Sequence, residues 1–471
     1  MPLSCHLGCR KIVAQPAARP QGRGVPRAQL EAASSIQGWL PASSENPLNP
    51  SEYGEEGEFL LRSGRDTMQL AHGTLGPGMI TLVKARNYRC LRSVIAPSRA
   101  FQILVGPNGS GKSAFMDVLG FLRDLVSKNL SAAVEDRTKP IGDFRDLVWG
   151  REESGFGLSV EAEIPEGQRL PSDVHSFSHL RYDVSVRAEP ERDAPLIDTE
   201  TVALVDRIHG ETLTVAAQMH THAQFFREDG TQHPYQPEID RKTSVLSHPP
   251  PEPTGFPASI ITWFTTFLRE GIVNVSLSTE DLHQPSTVEA EKASKLTGAN
   301  LARSVFDLQE KQSESFEAWI RHLRTALPDL ESVFTKVREE SRLRYLVVRD
   351  HNGVELPSWT ISDGTLCLLA LTILAYLPEP NVVYLIEEPE NAVHPTAVDT
   401  IYQSLSSLYD GQVLMASHSP ILLGLAKKEQ LLCFSRTPQG TQIVPGNEHP
   451  VLQEWKGEVN LSDLFAAGVL G

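Results

Sequence analysis

The pattern of apolar and polar positions changes character near residue 79. Residues 1–78 hold no sustained period of two or 3.6, are rich in Pro, Gly, Ser and Ala, and carry Arg10, Lys11, Arg19, Arg23 and Arg27 before their first acid, Glu31. Such a stretch buries too little apolar surface to offset its chain entropy and reads as a disordered tail. From Met79 the texture is that of a folded chain. Met79–Val83 and Phe101–Val105 read as strands, and the second runs directly into a glycine-rich turn. Beyond it Phe115, Val118, Leu119, Leu122 and Val126 share one helical face, so the order is strand, loop, helix.

Strict alternation at Phe156–Ile164 and Leu180–Val186 predicts half-buried strands, and the Pro-rich stretch His248–Pro257 interrupts that region. Helical segments follow over Ser259–Arg269 and through Phe316, Trp319, Ile320, Leu323 and Leu327. Leu343–Val348 and Val354–Leu356 flank Asn352-Gly353, a pair suited to a type I′ hairpin turn. From Trp359 the pattern is a buried helix to Leu377, a strand Val382–Ile386, a helix opened by Pro395 and a strand Val413–Ala416.

Composition narrows the class. A chain of 471 residues with 40% hydrophobic and 22% charged positions has room for a sizeable core in two or three units. Its formal charge of -16 repels nucleic acid and acidic membrane over the surface as a whole, so a DNA contact would have to be a local basic patch. Arg321, His322 and Arg324 form one mildly basic face, read as solvated. The longest apolar run, Leu366–Leu377, is too short to cross a bilayer, which argues against a membrane association. Cys5, Cys9, Cys90, Cys367 and Cys433 make no disulfide framework and fit a reducing, cytoplasmic setting. Cys5, His6 and Cys9 lack a second ligand pair for zinc, and His220 with His222 lacks an acidic or cysteine partner. The prolines and glycines of 1–78 spoil a transit peptide. The segment fits a dispensable tail, or a start placed upstream of Met79.

Two motifs carry chemistry. Gly106-Pro107-Asn108-Gly109-Ser110-Gly111-Lys112-Ser113 matches the phosphate-binding loop G-x-x-x-x-G-K-[ST] in its required place between strand and helix. The glycines let successive N–H groups face phosphate, Lys112 neutralises the β and γ oxygens, and the Ser113 hydroxyl ligates Mg²⁺. Val382–Ile386 then delivers Glu387 and Glu388 to the C-terminal edge of a buried parallel strand. The first acid would hold Mg²⁺ through water, and the second would orient or deprotonate the attacking water. Three further elements follow in order: Ile361-Ser362-Asp363-Gly364-Thr365 before the buried helix, Pro389-Glu390-Asn391 with His394-Pro395, and Ser417-His418-Ser419-Pro420 after a strand.

At these residues the chain resembles the ABC-type ATPases of the SMC, RecF and OLD group, and most resembles bacterial OLD-like ATPases that lack a Toprim nuclease domain. That resemblance makes Gly106–Ser113 the Walker A loop, Ser362–Thr365 the signature, Glu387 and Glu388 the Walker B pair, Asn391–His394 the D-loop and His418 the switch histidine. It also makes Asn87-Tyr88-Arg89 the N-terminal element whose Arg89 approaches phosphate. The chain departs from the group's pattern in having Glu387 in place of the usual aspartate and Ser-Asp-Gly-Thr as signature, and no Q-loop glutamine is assigned. The stretch after His418 is too short for a Toprim domain.

The expected architecture is therefore α/β: a P-loop ABC-type ATPase head on a mixed sheet with an inserted strand-rich and helical lid. Residues 1–78 are the tail, 79–155 the half with Walker A, 156–358 the lid, and 359–471 the half with signature, Walker B and switch histidine. No heptads sustain a long coiled coil. The resemblance implies ATP and Mg²⁺ as ligands, with no N-K-x-D segment to read guanine, and a homodimer in which Ser362 and Gly364 of one copy cap the nucleotide of the other. The catalytic residues would be Glu388, Lys112 and His418. Gly106, Asn108, Gly109, Ser110, Gly111, Lys112, Ser113 and Arg89 would bind nucleotide, and Ser113 and Glu387 the metal. The implied role is regulation of a separately encoded effector in a bacterial antiphage defence or toxin-type module. The alternative is a RecF-like DNA-binding repair ATPase. A transporter cassette is disfavoured by the signature.

Overall fold

A computed structural model describes residues 79–470 apart from 152, 170–176, 190–193, 220, 228–230, 252–256, 288–294, 297, 299, 378–380, 392, 410, 455–459 and 469. The expectations for residues 1–78, with Cys5, His6 and Cys9, and for His220 lie outside these residues.

The folded chain opens on the hairpin β1 (Ile80–Tyr88) and β2 (Leu91–Pro97), followed by β3 (Phe101–Val105), every residue of which is buried. β3 leads through the glycine loop into the helix Lys112–Ser127. Five antiparallel strands come next: β4 (Gly155–Glu163), β5 (His179–Ala188), β6 (Pro195–Asp206), β7 (Glu211–Met219) and β8 (His222–Phe225). The helix Ala258–Thr266 precedes β9 (Ile272–Val275), then come β10 (Ser286–Thr287) and β11 (Lys295–Leu296). Helices Leu301–Lys311 and Ser313–Leu323 lead to β12 (Leu330–Val337), β13 (Leu343–Asp350) and β14 (Glu355–Pro357). The last part carries the helix Asp363–Thr372, β15 (Val382–Glu387), the helix Pro395–Ser406, β16 (Gly411–Ala416), β17 (Leu431–Thr437) and β18 (Gly440–Pro445).

Two seven-stranded sheets result, ordered β2-β1-β4-β5-β6-β7-β8 and β11-β9-β15-β16-β3-β17-β18. The first is antiparallel. The second is parallel except for its β17–β18 edge hairpin. The central strands of the parallel sheet are apolar on both faces because both are covered. Leu104, Val383, Leu385, Leu414, Leu432 and Phe434 enter one core with Phe115, Leu119 and Leu122 of the loop helix and the inner face of the antiparallel sheet. Their neighbours Ile103, Val105, Tyr384, Ile386, Val413, Met415 and Cys433 enter the other core with Leu366, Leu369, Ile401 and Trp319. The loop helix is thus clamped between two sheets. Each of its large apolar side chains contributes about 1.5–3 kcal/mol through burial.

Within the stretch 156–358, β4–β8 extend the sheet begun by β1 and β2, and β9 lies inside the parallel sheet beside β15. Local alternation reveals strands but not their partners. β10, β13 and β12, with β14 paired to β13, form a smaller third sheet. The β13–β14 hairpin exists, but only Gly353 has a positive φ, 80°. The Asp350 carboxylate accepts the N–H groups of Asn352 (2.9 Å) and Val354 (2.8 Å), stabilising a wider turn than the type I′ expected from Asn-Gly. The buried helix ends at Thr372 and continues to Tyr376 as a tighter turn.

One fully buried amide joins the sheets. Gln412 Oε1 accepts the Ile80 N–H at 3.0 Å, and its Nε2 donates to the carbonyls of Ile80 and Arg99 and to Ser98 Oγ at 2.8–2.9 Å. Gln412→Leu strands these groups out of water and is expected to cost about 3 kcal/mol, read as a lower urea midpoint at unchanged slope.

Candidate functional site

The glycine loop is shaped by backbone conformations that side chains resist. Gly106, Gly109 and Gly111 have φ of 146°, 74° and 107°. A Cβ on Gly106 would lie 2.1 Å from the Phe434 carbonyl oxygen, and one on Gly111 would lie 2.6 Å from Thr441 Oγ1. β17 and β18 therefore form the wall against which the loop is pressed. Thr441 Oγ1 donates to the Ser110 carbonyl at 2.9 Å, while Ser110 Oγ is buried without a protein partner. Asn108 and Gly109 are exposed at the loop's crest.

Lys112 folds back into this loop and donates to the carbonyls of Gly106 (2.8 Å) and Pro107 (3.1 Å). Burial depresses its ammonium below the usual lysine value, and the facing carboxylates of Glu388 and Glu387 oppose that depression. The next residue, Ser113, donates its hydroxyl to Glu387 Oε2 at 3.0 Å. An octahedral Mg²⁺ with bonds of about 2.1 Å sets adjacent ligand oxygens about 3 Å apart, so these two oxygens fit neighbouring corners of such a shell. Among the described residues no three or more His, Cys, Asp or Glu side chains gather as a metal site. Phosphate oxygens and water would have to complete the shell.

Glu388 leaves the strand with φ 47°, an unfavourable conformation held by its N–H bond to the Ala416 carbonyl at 2.8 Å. Its Oε2 accepts from Asn391 Nδ2 at 2.7 Å, and its Oε1 lies 4.0 Å from His418 Nε2. Ser113, Glu387, Glu388, Asn391 and His418 thus converge. A cavity of about 470 Å³ lies among Ser113, Asp117, Asn274, Ser276, Thr279, Glu387, Glu388 and Asn391.

Two parts of the site carried no assignment in the sequence. Glu390 accepts from Ser417 Oγ (2.8 Å) and from the His418 N–H (2.9 Å), holding the segment after β16 against the turn after β15. Its only signal was a third acid in Glu-Glu-Pro-Glu. The polar groups within and after β9, the strand beside the acidic pair's own, are Asn274, Ser276 and Thr279, with no glutamine among the cavity's lining. Their signal was the polar run after an apolar stretch.

Other expected residues stand apart. Ser362 caps the helix Asp363–Thr372, accepting the Thr365 N–H at 3.3 Å. The cavity reaches Cys367 and Leu371 of that helix but not Ser362 or Gly364. Arg89, with φ 52°, is ion-paired to Asp117 at 3.0 Å, and Asp117 also receives Tyr88 Oη (2.6 Å) and Arg137 Nε (2.8 Å). It lines a second cavity of about 480 Å³ with Gly109, Trp149, Arg436 and Thr441, on the other flank of the loop. His222 is exposed, and among the described residues its ring meets Thr221 Oγ1. His322 is half-buried with its Nδ1 2.9 Å from Tyr376 Oη, whereas Arg324 is exposed and donates to the Leu330 carbonyl at 3.0 Å.

Strand-end loops of this geometry are those of P-loop ATPases, and the antiparallel sheet across the loop helix makes this head one of the ABC type. The chain belongs to the family described as "AAA domain, putative AbiEii toxin, Type IV TA system", whose model matches residues 101–187 and 269–424. Among curated proteins none matches the chain. Solved structures similar to it include an SMC head bound to the C-terminal winged-helix domain of ScpA, at 14% identity and TM-score 0.45 over 78% of this chain and 96% of that one. Another is the SMC head domain from Thermotoga maritima, at 11% identity and TM-score 0.40 over 78% and 98%. A third is an SMC head with an extended coiled coil from Pyrococcus furiosus, bound to the C-terminal domain of ScpA, at 13% identity and TM-score 0.42 over 78% and 95%.

Gly111→Ala places a methyl group against Thr441 and strains the backbone at the head of the loop helix. Titration with a fluorescent ATP analogue should find affinity reduced about a hundredfold or more, while the fold survives by circular dichroism.

Proposed function

We propose that this protein hydrolyses ATP with Mg²⁺, using two copies that sandwich two nucleotides head to tail. The observation that carries this reading is the Ser113 Oγ to Glu387 Oε2 approach of 3.0 Å, with Glu388 and His418 next to it. Ser113 and Glu387 would hold the metal, which when bound neutralises phosphate charge as it develops. Lys112 would exchange its loop carbonyls for the β and γ oxygens, an exchange favoured by a charged partner in place of neutral ones. Glu388, kept in place by Asn391, would accept a proton from, or orient, a water aimed at the γ-phosphate. His418, fixed through its backbone by Glu390, would face the same phosphate. Arg89 and the cavity beyond Gly109 lie on the flank toward which the nucleoside would extend.

The second copy enters because Ser362 and Gly364 do not line the cavity of their own chain. The N-terminus of the signature helix, where amide N–H groups gather, suits the γ-phosphate of a neighbour. In our reading the chain is of the OLD-like kind, and its nucleotide state holds or releases a separately encoded effector in a toxin or antiphage defence module. The family description, with its toxin and Type IV TA system, supports that context.

Glu388→Gln should bind ATP normally, lower turnover about a hundredfold or more, and accumulate an ATP-dependent dimer on size exclusion. Unchanged turnover would reject the role given to Glu388.

A further inference from the structure

His283 ends the short helix Thr279–His283, which follows β9. Its Nδ1 lies 2.8 Å from the Ser358 carbonyl oxygen and its Nε2 lies 2.7 Å from Asp363 Oδ1. Ser358 Oγ returns a hydrogen bond to the His283 carbonyl at 2.9 Å. A neutral imidazole has one N–H and one lone pair. Both ring partners here are acceptors, so the ring satisfies both only when it carries two protons.

The position of this clamp matters. Asn274, Ser276 and Thr279, at the head of the same short segment, line the cavity beside Ser113, Glu387 and Glu388. Ser358 and Asp363 lie on either side of Ser362, the cap of the signature helix. One segment therefore touches the nucleotide cavity at one end and grips both sides of the signature at the other.

We propose that His283 is a positioning residue: in its doubly protonated form it holds Ser362–Gly364 in the orientation that reaches a second copy's nucleotide, and ties that orientation to occupancy of its own chain's cavity. The proposal rests on the two-copy reading above. The groups around the ring agree with it. The signature helix presents Asp363, with the Cys367 thiol one turn on, and neither this helix nor the turn Ser358–Thr360 contains a cation. The ring's own helix adds Glu280 and Asp281. Asp363 raises the histidine above its ordinary value of 6.5, opposed by desolvation. A group raised in this way keeps the clamp at and below the ordinary value and releases it as pH rises through the raised one.

The test uses the full chain and three variants. His283→Gln should lower kcat for ATP about tenfold with KM changed less than about twofold, and should lack the alkaline decline in kcat that the parent protein displays. Asp363→Asn, which keeps size and removes the charge, should lose turnover similarly, and it serves as the readout if His283→Gln misfolds. An unaltered kcat with the same alkaline decline in both variants overturns the proposal. Dimerisation separates the two readings. If Glu388→Gln alone forms no dimer with ATP, the two-copy reading falls and this proposal falls with it. If Glu388→Gln dimerises and adding His283→Gln weakens the dimer about tenfold, the clamp is supported. If the double variant dimerises as tightly as the single one, the clamp is wrong and the two-copy reading stands.

Discussion

Three buried strands in parallel register hold the site together. Glu387 of β15 pairs with Ala416 of β16, and Ala416 pairs with Leu104 of β3, so the acids, the segment carrying His418 and the glycine loop leave the sheet at one level. A slip of one residue here would exchange the side chains that fill the two differently packed cores. That register, rather than any bond between functional groups, brings Ser113 within 3.0 Å of Glu387. Pressure from β17 and β18 then leaves glycine as the residue that fits at Gly106 and Gly111.

The electrostatics of the head follow from what this edge concentrates. Lys112 is buried beside Glu387 and Glu388 and donates to the loop carbonyls of Gly106 and Pro107. Along the loop helix, its own Asp117, Arg123 and Asp124 form a chain of ion pairs with Arg89 and Arg137. Tyr88 donates into it, and burial with the Asp117 charge pushes its phenol well above the usual value. Arg89 is thereby oriented by a carboxylate rather than free. Its approach to any anion competes with Asp117, a constraint that charge counting along the chain does not reveal.

How much of this was legible depends on the range of the interaction. β3, the loop, the loop helix, β15 and β16 read directly from the sequence because each is a strong local pattern: a wholly apolar short run, a glycine loop, a helical stripe. The strands β4 and β5 were legible as strands, yet their membership in the sheet of β1 and β2 was not, since pairing partners are chosen by shape and register far along the chain. Asn352-Gly353 gave the hairpin but not its turn, because the Asp350 carboxylate outweighed the dipeptide preference. Glu390, Asn274, Ser276 and His283 were silent for the same reason. A single polar residue carries no period.

The sequence by itself determined the chemistry on offer: a phosphate loop, two strand-end acids, a helix-capping serine and a strand-end histidine, all local motifs whose residue types and spacing suffice. Tertiary structure decided which of them meet. Ser113, Glu387, Glu388 and Asn391 line one cavity, with His418 4.0 Å from Glu388, while Ser362 and Gly364 are not part of that lining. The physical reason is that adjacency across a parallel sheet depends on strand order and register, which are settled by packing two cores at once and leave no mark on any short stretch of chain.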